Sequence, residues 1–92
     1  MKEYRFRAVI RQNGDMDAGY IVFPYDIRQE FGKGRVKVHA LLDGTEYDGS
    51  VVNMGVKDEA GRVCYVIGVP GAIRRSIQKS FGDEIDVVIA RR

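Results

Sequence analysis

The chain has one cysteine, one histidine and two prolines among 92 residues. A single cysteine, Cys64, closes no internal disulfide, and secreted domains this small commonly need several. It sits in the apolar run Val63-Cys64-Tyr65-Val66-Ile67, which reads as a buried structural thiol. A nucleophilic cysteine needs a base beside it, and the only histidine, His39, lies far away in sequence. One His and one Cys so spaced form no ligand set, so no metal is expected. The glycines show neither dinucleotide nor P-loop spacing, so no cofactor is expected either. No apolar run approaches the ~20 residues of a membrane span. No block of five like charges marks a tail for a membrane or a nucleic acid.

The start, Met1-Lys2-Glu3-Tyr4-Arg5-Phe6-Arg7, carries charges where a secretory signal needs an apolar stretch. These absences make a soluble protein in the reducing cytoplasm the default expectation, with no membrane partner. Fifteen basic and 13 acidic side chains leave a net charge of +2, which permits an anionic partner without demanding one. Hydrophobic residues at 45% exclude global disorder. Residues 1–92 are expected to make a single domain.

What is present reads as short strands. From Tyr4 to Gln12, Tyr4, Phe6, Ala8 and Ile10 alternate with Arg5, Arg7, Val9 and Arg11, the period of a half-buried strand. Gly19 to Phe23 is a second strand, stopped by Pro24. Ile27 and Phe31 then share one helical face before Gly32, which predicts a helix over 24–31. In Arg35 to Leu42, Val36, Val38, Ala40 and Leu42 face inward. Asp43-Gly44 makes a hairpin turn to a strand from Thr45 to about Val52, broken by Asn53-Met54-Gly55. Arg62 to Val69 is the fifth strand, stopped by Pro70. The stripe Ile73, Ile77, Phe81 predicts a second helix over 70–81, ended by Gly82. Asp83 to Ile89 is the last strand.

Two segments overlay. Pro24, Ile27 and Arg28 match Pro70, Ile73 and Arg74 at one offset of 46 positions. Each follows an apolar strand and precedes an alternating one, Val36-Lys37-Val38 or Ile85-Asp86-Val87. An internal duplication, with units at about 20–42 and 65–90, is the reading. Neither unit can bury both its strand face and its helix stripe alone; two facing units can. The expected fold is mainly β with two short helices: a six-stranded double-split pseudo-barrel formed by duplication and capped by the helices.

Phe23-Pro24-x-x-Ile27-Arg28-x-x-Phe31-Gly32 and Val69-Pro70-x-x-Ile73-Arg74, with Gly82-Asp83-x-Ile85, resemble the half-unit of AbrB/MazE-like swapped-hairpin barrels. From about Tyr4 to Ile89 the chain resembles more closely the uncharacterised family called domain of unknown function nineteen-zero-five. The resemblance rests on residues 19–28, Gly34-Arg35-Val36-Lys37-Val38, Asp43-Gly44, Tyr47 and Met54-Gly55. Members usually show Gly-x-x-Gly-Asp after the second helix; here only Gly82-Asp83 remains. Phe23 stands where a small β-branched residue is common. The family implies a fold and no activity. The AbrB-like resemblance implies DNA contacts through exposed basic residues.

Three kinds of site follow. Arg5, Arg7 and Arg11 share the polar face of the first strand, and Arg35 and Lys37 that of the third, beside His39. Were those strands neighbours, a basic stripe for phosphates would form, with Arg28, Arg74, Arg75 and Lys79 adding charge near the helices. The competing reading is an ordinary solvated exterior. For the repeated Arg28 and Arg74 it is a structural brace on carbonyls or on a carboxylate such as Asp26 or Asp83. Second, Tyr20, Tyr25, Tyr47, Tyr65 and His39 offer polar tips for a small molecule or a peptide at a barrel mouth, against packing of core and rim. Third, Asp43, Glu46 and Asp48 gather at the hairpin turn, with Asp58-Glu59 in the next loop. Paired carboxylates do acid–base work only where their environments differ, and turn tips are wet. No catalytic residue is assigned. The expectation is a non-enzymatic binding module, monomeric or homodimeric. The alternatives are an AbrB-like nucleic-acid-binding regulator, or a small-molecule-binding protein or enzyme.

Overall fold

The structure, a computed structural model, describes residues 3–92. In chain order it runs β1 (Glu3–Val9), β2 (Arg11–Gln12), β3 (Gly19–Phe23), α1 (Ile27–Phe31), β4 (Arg35–Leu42), β5 (Thr45–Lys57), β6 (Val63–Val69), α2 (Gly71–Ser76) and β7 (Glu84–Arg91). The strands form one antiparallel sheet in the order β1-β7-β4-β5-β6-β3-β2. The mainly-β class with two short helices is as expected.

The closed six-stranded barrel is not. The sheet has seven strands and curls, because its two outermost strands, β1 and β2, are separated in sequence by Ile10 alone. The strand expected over 4–12 divides there. Ile10 N–H donates to Asp83 O at 2.9 Å and Ile10 O accepts from Gly82 N at 2.8 Å, so its backbone is bonded to the turn before β7. Before it, β1 pairs with β7; after it, β2 pairs with β3. Among the described residues no ladder joins β1 to β3.

Period-two patterning puts the core where the sequence placed it. Tyr4, Ile21, Phe23, Val36, Val38, Ala40, Leu42, Val51, Ile67, Val69, Ile85, Val87 and Ile89 bury into one cluster with Ile10 and Ile27. The β3–β6 ladder is centred on Ile21↔Ile67, a pair at the same 46-position offset as Pro24 and Pro70. The β4–β7 ladder is centred on Ala40↔Ile89, with Val38↔Arg91 and Leu42↔Val87 at equal distance on either side.

Both helices are shorter than their stripes predict. Asp26 caps α1, its Oδ1 accepting from Arg28 N at 2.9 Å and Gln29 N at 3.3 Å, so the helix starts at Ile27 and Pro24 stays outside it. Gly32 closes it in the left-handed conformation, φ 70°. The second helix ends at Ser76; Gln78 turns left-handed at φ 57°, and Phe81 reaches the core from a turn. The break expected at Asn53-Met54-Gly55 is a bulge. Gly55 N donates to Asn53 Oδ1 at 2.9 Å, the β5–β6 register slips between Asn53 and Lys57, and the strand continues to Lys57.

Candidate nucleic-acid interface

The basic stripe expected from the first and third strands does not form. In the sheet, β7 lies between β1 and β4 and sets Asp86 opposite Arg7. Arg7 donates to Glu84 at 2.6 Å and to Asp86; these hydrogen bonds, Glu84 first, raise its guanidinium above its usual value. Arg5 lies 3.5 Å from Glu3. Arg11 is exposed on β2, at the other edge of the sheet. Lys79 stands 3.9 Å from Asp43. Arg75 is exposed and folds back beside Gly71.

The repeated arginines differ. Arg74 is buried: Nε donates to Val69 O at 3.2 Å, Nη2 donates to Asp17 O at 3.3 Å and Oδ1 at 3.1 Å, and its guanidinium lies 4.6 Å from the Phe81 ring centre. It is a brace, with Asp17 rather than Asp83 as its carboxylate. Its counterpart Arg28 is exposed and lays its guanidinium beside Gly34 instead. The halves share the residue and not its use.

Five cations, one of them also beside Asp48, gather at one end of the sheet. Antiparallel β4 and β7 bring the start of one beside the end of the other. Lys33, Arg35, Lys37, Arg91 and Arg92 there surround a depression of about 370 Å³, with Val36 also in its lining and no Asp or Glu side chain among the described residues that line it. Arg28 reaches the same neighbourhood through Gly34. Arg91 stacks on the Phe31 ring at 5.6 Å. Arg92 N donates to Lys37 O at 2.9 Å, which carries the pairing one residue past β7, and its guanidinium lies 3.8 Å from Asp48 on the rim. At the opposite end three acids, Asp43, Glu84 and Asp86, line a polar cleft of about 560 Å³ together with Arg7 and Lys79. A net charge of +2 thus conceals a local gathering of five cations.

Sequence reasoning placed Arg35 and Lys37 but missed Lys33, Arg91 and Arg92. The last strand was expected to stop at Ile89. The signal was the continued alternation through Ala90-Arg91.

The other candidates are dispersed. Asp43 hydrogen-bonds Asp86 N at 2.8 Å at the acidic end, whereas Glu46 and Asp48 flank His39 on the outer face, Asp48 Oδ1 at 2.6 Å from Nδ1 and Glu46 at 3.8 Å from Nε2. The hydrogen bond with His39 first, and the charges of Arg92 and His39 after it, hold the Asp48 carboxyl below its usual value. Asp58 is bound by the Ala60 and Arg62 amides, and its carboxyl too is lowered, chiefly by the Arg62 amide. The three hairpin carboxylates therefore make no common site. Of the tyrosines, Tyr25 and Tyr65 line a groove of about 660 Å³ between β6 and the loop leading to α1. Tyr47 instead lies over Gly49. Cys64 also lines the groove and is half-buried, because the alternation of β6 turns it outward from the core; the expected full burial is corrected. Among the described residues no group of three His, Cys, Asp or Glu side chains could hold a metal. No helix of the described chain is long and apolar enough to cross a membrane.

The family model described as Domain of unknown function (DUF1905) matches residues 6–89. The chain belongs to this family. The DUF1905 match takes in both Pro-x-x-Ile-Arg units and most of the sheet, and it includes Arg28, Lys33, Arg35 and Lys37 of the cationic end. Arg91 and Arg92 lie beyond it. No curated protein matches the chain.

Proposed function

We propose that this DUF1905 protein is a non-enzymatic binding module that holds the phosphate backbone of nucleic acid at its cationic end. The carrying observation is the depression where Lys33, Arg35, Lys37, Arg91 and Arg92 converge with no Asp or Glu side chain among its described lining residues. Like charges so crowded are relieved by a polyanion, which releases its condensed counterions on binding. Arg5, Arg7 and Arg74 are spent on carboxylates or carbonyls and add little; Arg28, beside Gly34, lies next to the lining residues Lys33 and Arg35. A cytoplasmic location fits such a partner and the single thiol.

The test is retention on heparin and fluorescence anisotropy of labelled DNA across a salt series. Five phosphate contacts give a log–log slope of about −4.5 on duplex DNA and about −3.5 on a single strand. Arg35→Glu with Lys37→Glu should abolish retention, and Arg11→Glu should leave most of it. No anisotropy change at low salt with any nucleic acid would refute the reading.

We further infer that the two halves descend from one duplicated unit akin to the AbrB-like half-barrel. Ladders centred on Ile21↔Ile67 and Ala40↔Ile89 support it, as does the 46-position offset of Pro24, Ile27 and Arg28 from Pro70, Ile73 and Arg74. DUF1905 chains that keep Pro-x-x-Ile-Arg in one half only would count against it.

A further inference from the structure

Beside the cationic end the chain gathers its aromatic rings. Arg91 sits on Phe31, Phe31 packs edge-on against Tyr4 at 5.8 Å, and Tyr4 meets Tyr25 at 5.0 Å. Phe23 closes the cluster, 5.2 Å from Tyr4 and 5.4 Å from Tyr25. Most of these rings are core. Tyr25 is not: it is 41% exposed. One side of its ring packs against Tyr4 and Phe23, and the residue sits between Pro24 and the capping Asp26. Beyond it opens the 660 Å³ groove, whose facing wall carries Val63, 42% exposed, and Arg62. From Arg91 to Tyr25 there are three steps, each shorter than 6 Å.

A cationic end within three short contacts of an exposed aromatic ring is an arrangement that takes up unpaired nucleotides. Cations follow the backbone while rings stack on bases, and every base has a π-face to offer. A duplex hides those faces inside its own stack. The geometry points to single-stranded nucleic acid as the ligand, its phosphates on Arg35, Lys37, Arg91 and Arg92 and a base stacked on Tyr25 at the mouth of the groove. This rests on the cationic-end reading above and adds to it the class of strand.

The acids of the groove fix the polarity. Asp26 and Asp58 line it and are held by backbone amides, so they repel a phosphate there while accepting from the amino groups of a base edge. The sugar–phosphate chain therefore runs on the Arg91 side and the base enters the groove.

The experiment compares a labelled oligothymidylate, a duplex of equal length and heparin on the same intact protein at moderate salt. The single strand should bind at least roughly ten-fold more tightly than the duplex. Tyr25→Ala should cost roughly ten-fold of single-strand affinity, the loss of one stacked base, while heparin retention is unchanged and Tyr25→Phe restores binding. Val63→Glu, at an exposed strand position, should weaken single-strand binding alone and serves if Tyr25→Ala does not fold. Equal affinity for both strands, together with indifference to the Val63 and Tyr25 changes, overturns the inference and leaves the cationic end standing. Failure of all three polyanions to bind removes both.

Discussion

The Nη2 of Arg74 and the Oδ1 of Asp17 lie 3.1 Å apart, joining a side chain 9% exposed to one 82% exposed. The asymmetry says which partner matters. Asp17 returns to water if Arg74 is removed. Val69 O loses its buried donor, and Phe81 loses the cation on its ring. Arg74→Ala should therefore lose about 2–3 kcal/mol, the range for stranding a buried acceptor of a charged donor. Arg28→Ala, whose side chain is exposed, should lose under about 0.5 kcal/mol. Urea denaturation of both variants decides it; equal losses would mean that the two halves brace alike.

Gly19 shares that corner. An added methyl would sit 3.2 Å from Ile10, 3.2 Å from Phe81 and 3.3 Å from Arg74 Nε, all of them packed. Each must give by a few tenths of an ångström, and Arg74 and Phe81 belong to the brace itself. Gly19→Ala should destabilise by about 1–3 kcal/mol through overpacking. Gly68→Ala is the control, since the nearest atom to an added methyl there is 3.9 Å away. A thermal melt of Gly19→Ala matching that of Gly68→Ala would contradict the crowding.

The strands were legible because period-two alternation and burial are one fact seen twice. Arg35 to Leu42 buries every second residue in the observed strand, as the sequence spelled it. Asp43-Gly44 announced its hairpin through the positive φ that both residues adopt, 48° and 83°. Helix ends were less legible, because a side-chain cap or one left-handed residue decides them. Asp26 moved the first start, and Gln78 cut short a stripe that reads unbroken to Phe81. The division of the first strand at Ile10 left no mark, since Ile10 keeps the alternation and only long-range bonds to Gly82 and Asp83 turn the chain. The candidate site was half visible. Arg35 and Lys37 declared themselves as outward positions, but strand order decided that Arg91 and Arg92, rather than Arg5 and Arg7, would join them.

Two carboxyls set an acid-side dependence. His39 holds Asp48, and the Arg62 amide holds Asp58, below the ordinary value of 3.8. A carboxyl lowered on folding stabilises the native state above its unfolded pKa, and that contribution fades as pH falls through the folded one. Asp48→Asn and Asp58→Asn should each be less stable than the parent at neutral pH, and the difference should shrink below the usual carboxylate range. Both groups are exposed, so the effects are small and weaken with salt. Denaturation midpoints at neutral and strongly acidic pH check it; a gap that widened on acidification would reverse the sign.

Capping of α1 is tied to the cationic end through Phe31, its last residue and the ring beneath Arg91. Five residues cannot hold a helix by themselves, so the two amides bound by Asp26 carry unusual weight. Asp26→Ala should lose about 1 kcal/mol, and Asp26→Ser, another capping residue, should recover most of it. Failure of Ser to rescue would move the role of Asp26 from capping to its charge.

Ile10 closes the circuit of the sheet. It is fully buried, and its backbone fastens the passage from β1 to β2 onto the turn before β7. Two losses separate by substitution. Ile10→Val removes one methylene and should lose about 0.5–1.5 kcal/mol; Ile10→Ala leaves a cavity and should lose about 2–5 kcal/mol. Both keep the amide. Ile10→Pro also deletes the donor to Asp83 O and should lose more than the Ala variant. Amide exchange separates the effects. In the Ala variant protection should fall evenly over β7 and β3, whereas in the Pro variant Gly82, which donates to Ile10 O, should lose protection first. The same exchange pattern in both would show that the side chain alone holds the two ends of the sheet in place.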